Sequence, residues 1–306
     1  MHKTRELLFF TIAVVFFAGS ASAQSVVRFV ALGDAGEGNP AQFENAAAME
    51  QVCAAKGCDF ALYLGDNFYD DGVSSIDDPQ FAAKFEEPYA NLDFPFLVVL
   101  GNHDYGVTSL EWWKPWYQVF YTYVTNFSKF ILPFPYYNLR VGHVEFFALD
   151  SQALLLGWNL EQQATWLQSA LETSTADWKI VFAHHPYISN GRHGNAGNYE
   201  GCPFCGVFSG IIVRIFVEAL ICGEVDYYFS GHDHDLQWLE PTCGTGFIVS
   251  GAGSKTRSFV HRDNNPVFFE DDSTVGFMWV EISDNTFTGE FYDKLGNLLF
   301  KRTVTK

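Results

Sequence analysis

Short apolar runs punctuate the chain, and five of them stop at a polar cluster. VVRFVALGD ends at Asp34, FALYLGD at Asp66, PFLVVLGNHD at Asn102 and His103, WKIVFAHHP at His184 and His185, and DYYFSGHDHD at His232 and His234. Runs of this length, bounded by glycine and polar residues, read as buried strands. Between them, AQFENAAAMEQVCAA, NLEQQATWLQSAL and GIIVRIFVEAL read as helices. The second carries Leu160, Ala164, Leu167 and Leu171 on one core-facing stripe, and the third is expected to be largely buried. Strands alternating with helices predict parallel pairing and a layered α/β fold, in which ligands sit beyond the carboxyl ends of the strands. The last stretch, GFMWVEISDNTFTGEFYDKLGNLLFKRTV, alternates and turns at Gly296-Asn297. It predicts antiparallel strands, so at least one sheet is mixed.

The beginning has a different pattern. Lys3 and Arg5 precede an apolar run from Leu7 to Ala18, and Ala21-Ser22-Ala23 comes next. A run this short with a small-x-small site reads as a secretory signal peptide over residues 1–23, cut before Gln24, and not as a membrane anchor. The remaining residues, 24–306, contain no linker, repeat or low-complexity tract, and are expected to form a single catalytic domain. Such a leader implies export to the periplasm or the exterior. Six cysteines suit that setting. Of the many connectivities open to them, nearest-neighbour pairing (Cys53–Cys58, Cys202–Cys205, Cys222–Cys243) is the most reasonable. The CPFC segment, residues 202–205, lacks the small βαβ context of a redox-active pair.

A formal net charge of −18 argues against nucleic acid and anionic membrane as partners. The chemistry instead concentrates at the strand ends. Asp34, Asp66, Tyr69, Asn102, His184, His232 and His234 all come after predicted strands, and oxygen and imidazole donors in that arrangement point to a metal site. GDAGEG is no phosphate-cradling loop, because no Gly-Lys-Ser/Thr comes after it. Asn126 opens a formal glycosylation sequon, which matters only if the producing cell glycosylates. His143 and His261 have no motif around them.

Together, GDAG at 33–36, GDNFY at 65–69, GNHD at 101–104, AHHP at 183–186 and GHDHD at 231–235 resemble the metallophosphoesterases. More narrowly, the chain is similar to the small, tartrate-resistant purple acid phosphatases along almost its whole mature length. That resemblance implies a four-layer α/β/β/α sandwich of two mixed sheets flanked by helices. It also implies a dinuclear centre of Fe3+ with Fe2+, Zn2+ or Mn2+. Asp34, Tyr69 and His234 would hold the first ion, Asn102, His184 and His232 the second, and Asp66 would bridge them. His185 would not ligate. Most metallophosphoesterases have a histidine two residues after the first aspartate. Here that position is Gly36, and Tyr69 replaces the missing donor with a harder, anionic one suited to Fe3+. Such an ion pair outweighs the three anionic side chains, which reconciles an acidic protein with an anionic substrate.

The implied activity is acid hydrolysis of phosphomonoesters by a monomer, with a metal-bound hydroxide attacking phosphorus. Small esters, phosphoproteins and nucleotides fall in that class. His103 and His193 are the candidates to assist the leaving group. The alternatives are an exported phosphodiesterase or nucleotidase of the same superfamily, and an iron-binding redox protein. One departure stands out. Mammalian-type members carry a long repressive loop where this chain has only SQALLLGWN, residues 151–159.

Overall fold

The computed structural model describes residues 26–306, so the expected leader at 1–23 lies outside the described residues. The chain lays down four strands, β1 (Val26–Leu32), β2 (Phe60–Tyr63), β3 (Phe96–Val98) and β4 (Phe130–Ile131), in one sheet. It then builds a second sheet from β5 (Tyr137–Val141), β6 (Val144–Ala148), β7 (Trp178–Phe182), β8 (Tyr227–Ser230), β9 (Leu236–Leu239), β10 (Gly246–Ser250) and β11 (Val267–Asp271). Finally it returns to the first sheet with β12 (Gly276–Ser283), β13 (Thr286–Asp293) and β14 (Leu298–Thr305).

Each sheet has seven strands, in the orders β14-β13-β12-β1-β2-β3-β4 and β11-β9-β10-β8-β7-β6-β5. Both are mixed. β1 to β4 run parallel while β12 to β14 are antiparallel, and β6, β7, β8 and β10 run parallel between antiparallel edges.

Neighbouring aromatic side chains show how the layers form. Successive strand residues face opposite sides. Phe146 of β6 packs inward against Phe29 and Phe60 of the first sheet, with ring centroids 5.4 and 5.1 Å away. Phe147 faces outward, with Leu167, Val213 and Phe216 of the helices. Val181, Tyr228 and Val249 likewise face the helices, while Ile180, Phe229 and Ile248 fill the space between the sheets. The fold is therefore the expected four-layer α/β/β/α sandwich.

The helices are α1 (Pro40–Lys56), α2 (Pro115–Val124), α3 (Ser151–Leu155), α4 (Leu160–Thr173) and α5 (Ile211–Leu220). Asn39 starts α1 by accepting from Gln42 N at 2.9 Å, with Pro40 pre-set for the first turn. Asp150 does the same for α3, accepting from Ala153 N at 3.0 Å. Two sequence readings need correcting. α5 buries Val213, Phe216 and Val217 but leaves Ile211 and Ile215 exposed, so it is half-buried. In α4, Leu167 and Leu171 are core but Leu160 is exposed. All six cysteines pair as nearest neighbours, Cys53–Cys58, Cys202–Cys205 and Cys222–Cys243. No described helix is long and apolar enough to cross a membrane.

Candidate metal centre

Each anticipated donor stands just past a strand end, and the two sheets share one site. Asp34 comes after β1, Asp66 and Tyr69 after β2, and Asn102 after β3. The second sheet supplies His184 after β7, and His232 and His234 after β8. Asp34, Asp66 and His232 hold left-handed backbones, with φ of 57°, 53° and 69°. Non-glycine residues seldom adopt this region, and it turns their side chains sharply out of the strand direction. Packing leaves little slack. A Cβ at Gly101 would fall 2.2 Å from Asp66 Oδ1, and one at Gly36 only 2.1 Å from the Asn67 carbonyl oxygen. Residue 36 thus has no room for a side chain such as histidine.

The donor atoms converge. Tyr69 Oη lies 2.8 Å from Asp34 Oδ1, 2.9 Å from Asp66 Oδ2 and 3.3 Å from His234 Nε2. His184 Nε2 lies 3.1 Å from both Asn102 Oδ1 and His232 Nδ1. The ligating atoms of Asp34, Asp66 and His184 are within 4.8 Å of one another, and all three residues are buried. The other edge of His184 is committed, since Nδ1 sits 2.9 Å from the Leu64 carbonyl. It donates there, which leaves Nε2 facing inward. Two buried carboxylates share a single phenol proton, and beside them two imidazole nitrogens and an amide oxygen crowd together. This donor set fits cations.

Charge behaves accordingly. Burial opposes ionisation of Asp34, but the His234 hydrogen bond and the charges on His184 and His234 hold its carboxyl at about 2. Burial, and then the Asp34 and Asp66 carboxylates, push the Tyr69 phenol well above its ordinary 10.0. That phenol ionises only where a cation takes the place of its proton. Burial and the surrounding imidazoles push His232 well below 6.5.

The two leaving-group candidates flank the cluster. His103 donates its backbone N–H to Asp66 Oδ1 at 2.9 Å, and its Nδ1 lies 2.7 Å from the Asp70 carbonyl. His193 stacks on His232 with ring centroids 3.9 Å apart, and its Nδ1 pairs with Glu200. His185 turns its Nδ1 to Ser151 Oγ at 2.9 Å. His261 is outside the site, paired with Glu270.

Sequence reasoning missed the supporting groups. Asp104 accepts from Gly101 N, Asn67 N and Gln118 Nε2, tying two of the ligand loops together. Burial and the neighbouring Asp66 push it up to about 7. Asp233 accepts from His193 N at 2.7 Å and so places that loop. Lys255 Nζ stands 3.2 Å from the centroid of the Tyr69 ring while paired with Glu37. Asp104 and Asp233 lie inside the GNHD and GHDHD segments, which was the one available signal. Lys255 offered none.

Comparison with known proteins places this geometry. The family model described as calcineurin-like phosphoesterase matches residues 27–236. Tartrate-resistant acid phosphatase type 5 of Homo sapiens is 30% identical over 322 residues, covering 93% of this chain and 92% of that one. Purple acid phosphatase 4 of Arabidopsis thaliana is 30% identical over 299 residues, covering 92% and 84%. Among solved structures, GAP50, the anchor in the inner membrane complex of Plasmodium, superposes with a TM-score of 0.74 at 24% identity, over 92% of this chain and 89% of that one. A dimetal phosphatase from Danio rerio reaches 0.55 at 14% identity, over 91% and 98%. These two structures share the fold.

Proposed function

Because the chain belongs to the calcineurin-like phosphoesterase family, and within it to the purple acid phosphatases, we propose that it is an exported acid phosphatase acting on phosphomonoesters. The observation that carries this reading is the Tyr69 hydroxyl shared by Asp34 and Asp66 in a buried site. One phenol and two carboxylates on one side, against imidazoles, an amide and a shared carboxylate on the other, favour a trivalent ion beside a divalent one. We assign Asp34, Tyr69 and His234 to Fe3+, Asn102, His184 and His232 to Fe2+, Zn2+ or Mn2+, and Asp66 to both. When bound, such a pair supplies an activated water usable in acid and positive charge for the phosphoryl oxygens.

The remaining steps belong to the chain's own groups. His103 and His193 each tie Nδ1 to a neighbour, to the Asp70 carbonyl and to Glu200, which leaves Nε2 of each ring to act. In this reading they bind the ester and protonate its leaving oxygen. The three disulfides accord with residues 24–306 working as one exported domain.

The test is metal analysis of the purified protein alongside hydrolysis of phenyl phosphate and diphenyl phosphate. One trivalent-capable iron with one divalent ion per chain, and a preference for the monoester, are expected. Asp66→Ala should lose both metals. A preference for the diester would favour the phosphodiesterase reading. Iron-loaded protein inactive on both esters would favour an iron-binding protein.

A further inference from the structure

Of the 16 lysines and arginines among the described residues, eight pair with a carboxylate and eight do not, and a cation of the second kind that lies beside the candidate site can meet an anion from outside. Arg257 is such a cation. Among the described residues its guanidinium pairs with no carboxylate, and its side-chain contact is Nη1 to His193 Nε2 at 3.2 Å. The backbone around it is anchored. Arg257 N donates to the His234 carbonyl at 2.9 Å, Phe259 N to Asp272 Oδ2 at 2.8 Å, and Val260 N to the Asn190 carbonyl at 3.1 Å. The cation is therefore held in place beside the site while most of its five donors stay unused.

Its position is informative. His193 stacks on His232, one of the inward-facing donors, so Arg257 is linked to the candidate cluster through the edge of the His193 ring. The nearby carboxylate, Glu200, is taken by His193 Nδ1. A guanidinium only donates, so His193 Nε2 accepts at this contact, and a neutral acceptor yields readily to an anion.

We propose that Arg257 is a specificity-determining residue. It binds a second anionic group carried by the leaving portion of the substrate, as in a phosphoanhydride or an ester with an adjacent phosphate. Resting on the phosphatase reading, this deepens it from phosphomonoesters in general to doubly anionic ones. Engagement of that group draws the guanidinium off His193 Nε2. The side chain acts by charge and hydrogen bonding and takes no part in bond making or breaking.

The experiment compares wild type, Arg257→Lys and Arg257→Ala on inorganic pyrophosphate and phenyl phosphate. Both variants keep the backbone hydrogen bond to His234, so the loop should fold normally. The ratio of kcat/KM for pyrophosphate over phenyl phosphate is expected to fall about 10- to 100-fold in Arg257→Ala, mostly through KM, with partial recovery in Arg257→Lys. Equal losses on both substrates would place Arg257 on the reacting phosphoryl group and overturn the proposal, as would no loss on pyrophosphate. A second arm needs no turnover: calorimetric binding of methylenediphosphonate against methylphosphonate to the same metal-loaded proteins. The selectivity for the diphosphonate should fall by a similar factor, and unchanged selectivity overturns the proposal. If wild type hydrolyses neither substrate, the phosphatase reading fails by itself, and the binding arm still decides the role of Arg257.

Discussion

Replacing Asp150 by asparagine should change how stability depends on pH, by an amount the structure sets. Asp150 is buried at the end of β6, accepts from Ala153 N at 3.0 Å and from the Tyr105 hydroxyl at 2.5 Å, and caps α3. Burial raises its carboxyl from 3.8 to about 6, with these hydrogen bonds only partly opposing the rise. The folded protein therefore holds this proton more tightly than the unfolded chain does. The stability it contributes is fully present below about pH 4 and is lost as pH rises through about 6. A rise of this size corresponds to roughly 3 kcal/mol. The asparagine side chain would keep an acceptor for Ala153 N and would not titrate. Between pH 4 and pH 7, the stability of Asp150→Asn relative to wild type should thus improve by roughly 3 kcal/mol, or roughly 5–10 °C in Tm for a domain of this size. Thermal unfolding of both proteins, in the same metal state and across this range, measures it. Taking the difference cancels every other titrating group. A difference that stays flat from pH 4 to pH 7 would mean that Tyr105 and Ala153 offset burial completely, and the reasoning would be refuted.

Two other outcomes are expected from the site and its surroundings. Tyrosinate on Fe3+ should give the pure protein a violet to pink colour that Tyr69→Phe abolishes while the fold survives; colourless, iron-loaded wild type would exclude Tyr69 as a ligand. The 151–159 connection is built on the short helix α3 with Leu154 and Leu155 buried, which makes it a poor protease target. Limited proteolysis should therefore leave turnover unchanged, and a several-fold rise on cutting between Ser151 and Glu161 would reveal a repressive loop.

The strand ends were legible because the physics there is local. An apolar run must stop and the chain must then turn, so Gly-Asp, Gly-Asn and His-His after such runs mark one edge of the molecule. The positions of α1, α4 and α5 were legible for the same reason, whereas α2 and α3 were not read as helices. Degree of burial was not. The helical spacing of α5 fits a core helix, but only Val213, Phe216 and Val217 meet the second sheet, and Ile215 faces solvent. Sheet membership was equally hidden. The five motif strands divide three to one sheet and two to the other, and nothing local distinguishes β3 from β7. Arg257 and Lys255 lie furthest from sequence reach. Both sit on the irregular stretch between β10 and β11, whose path depends on long-range bonds such as those to Asn190 and Asp272.

The first sheet is closed by strands from opposite ends of the described chain, with Val26 of β1 paired to Ser283 of β12. The first described strand therefore has one flank open until β12 has been made. During synthesis β1 can pair with β2, but its other edge waits for β12, which is made only after the ten strands β2 to β11. Such distant pairing is slow and exposes an apolar edge in the interval. The order of events should be a second sheet with its helices settling early, and a first sheet completed by late docking of the β12–β14 meander. A nascent chain arrested before Gly276 would then be an aggregation hazard, not a smaller enzyme.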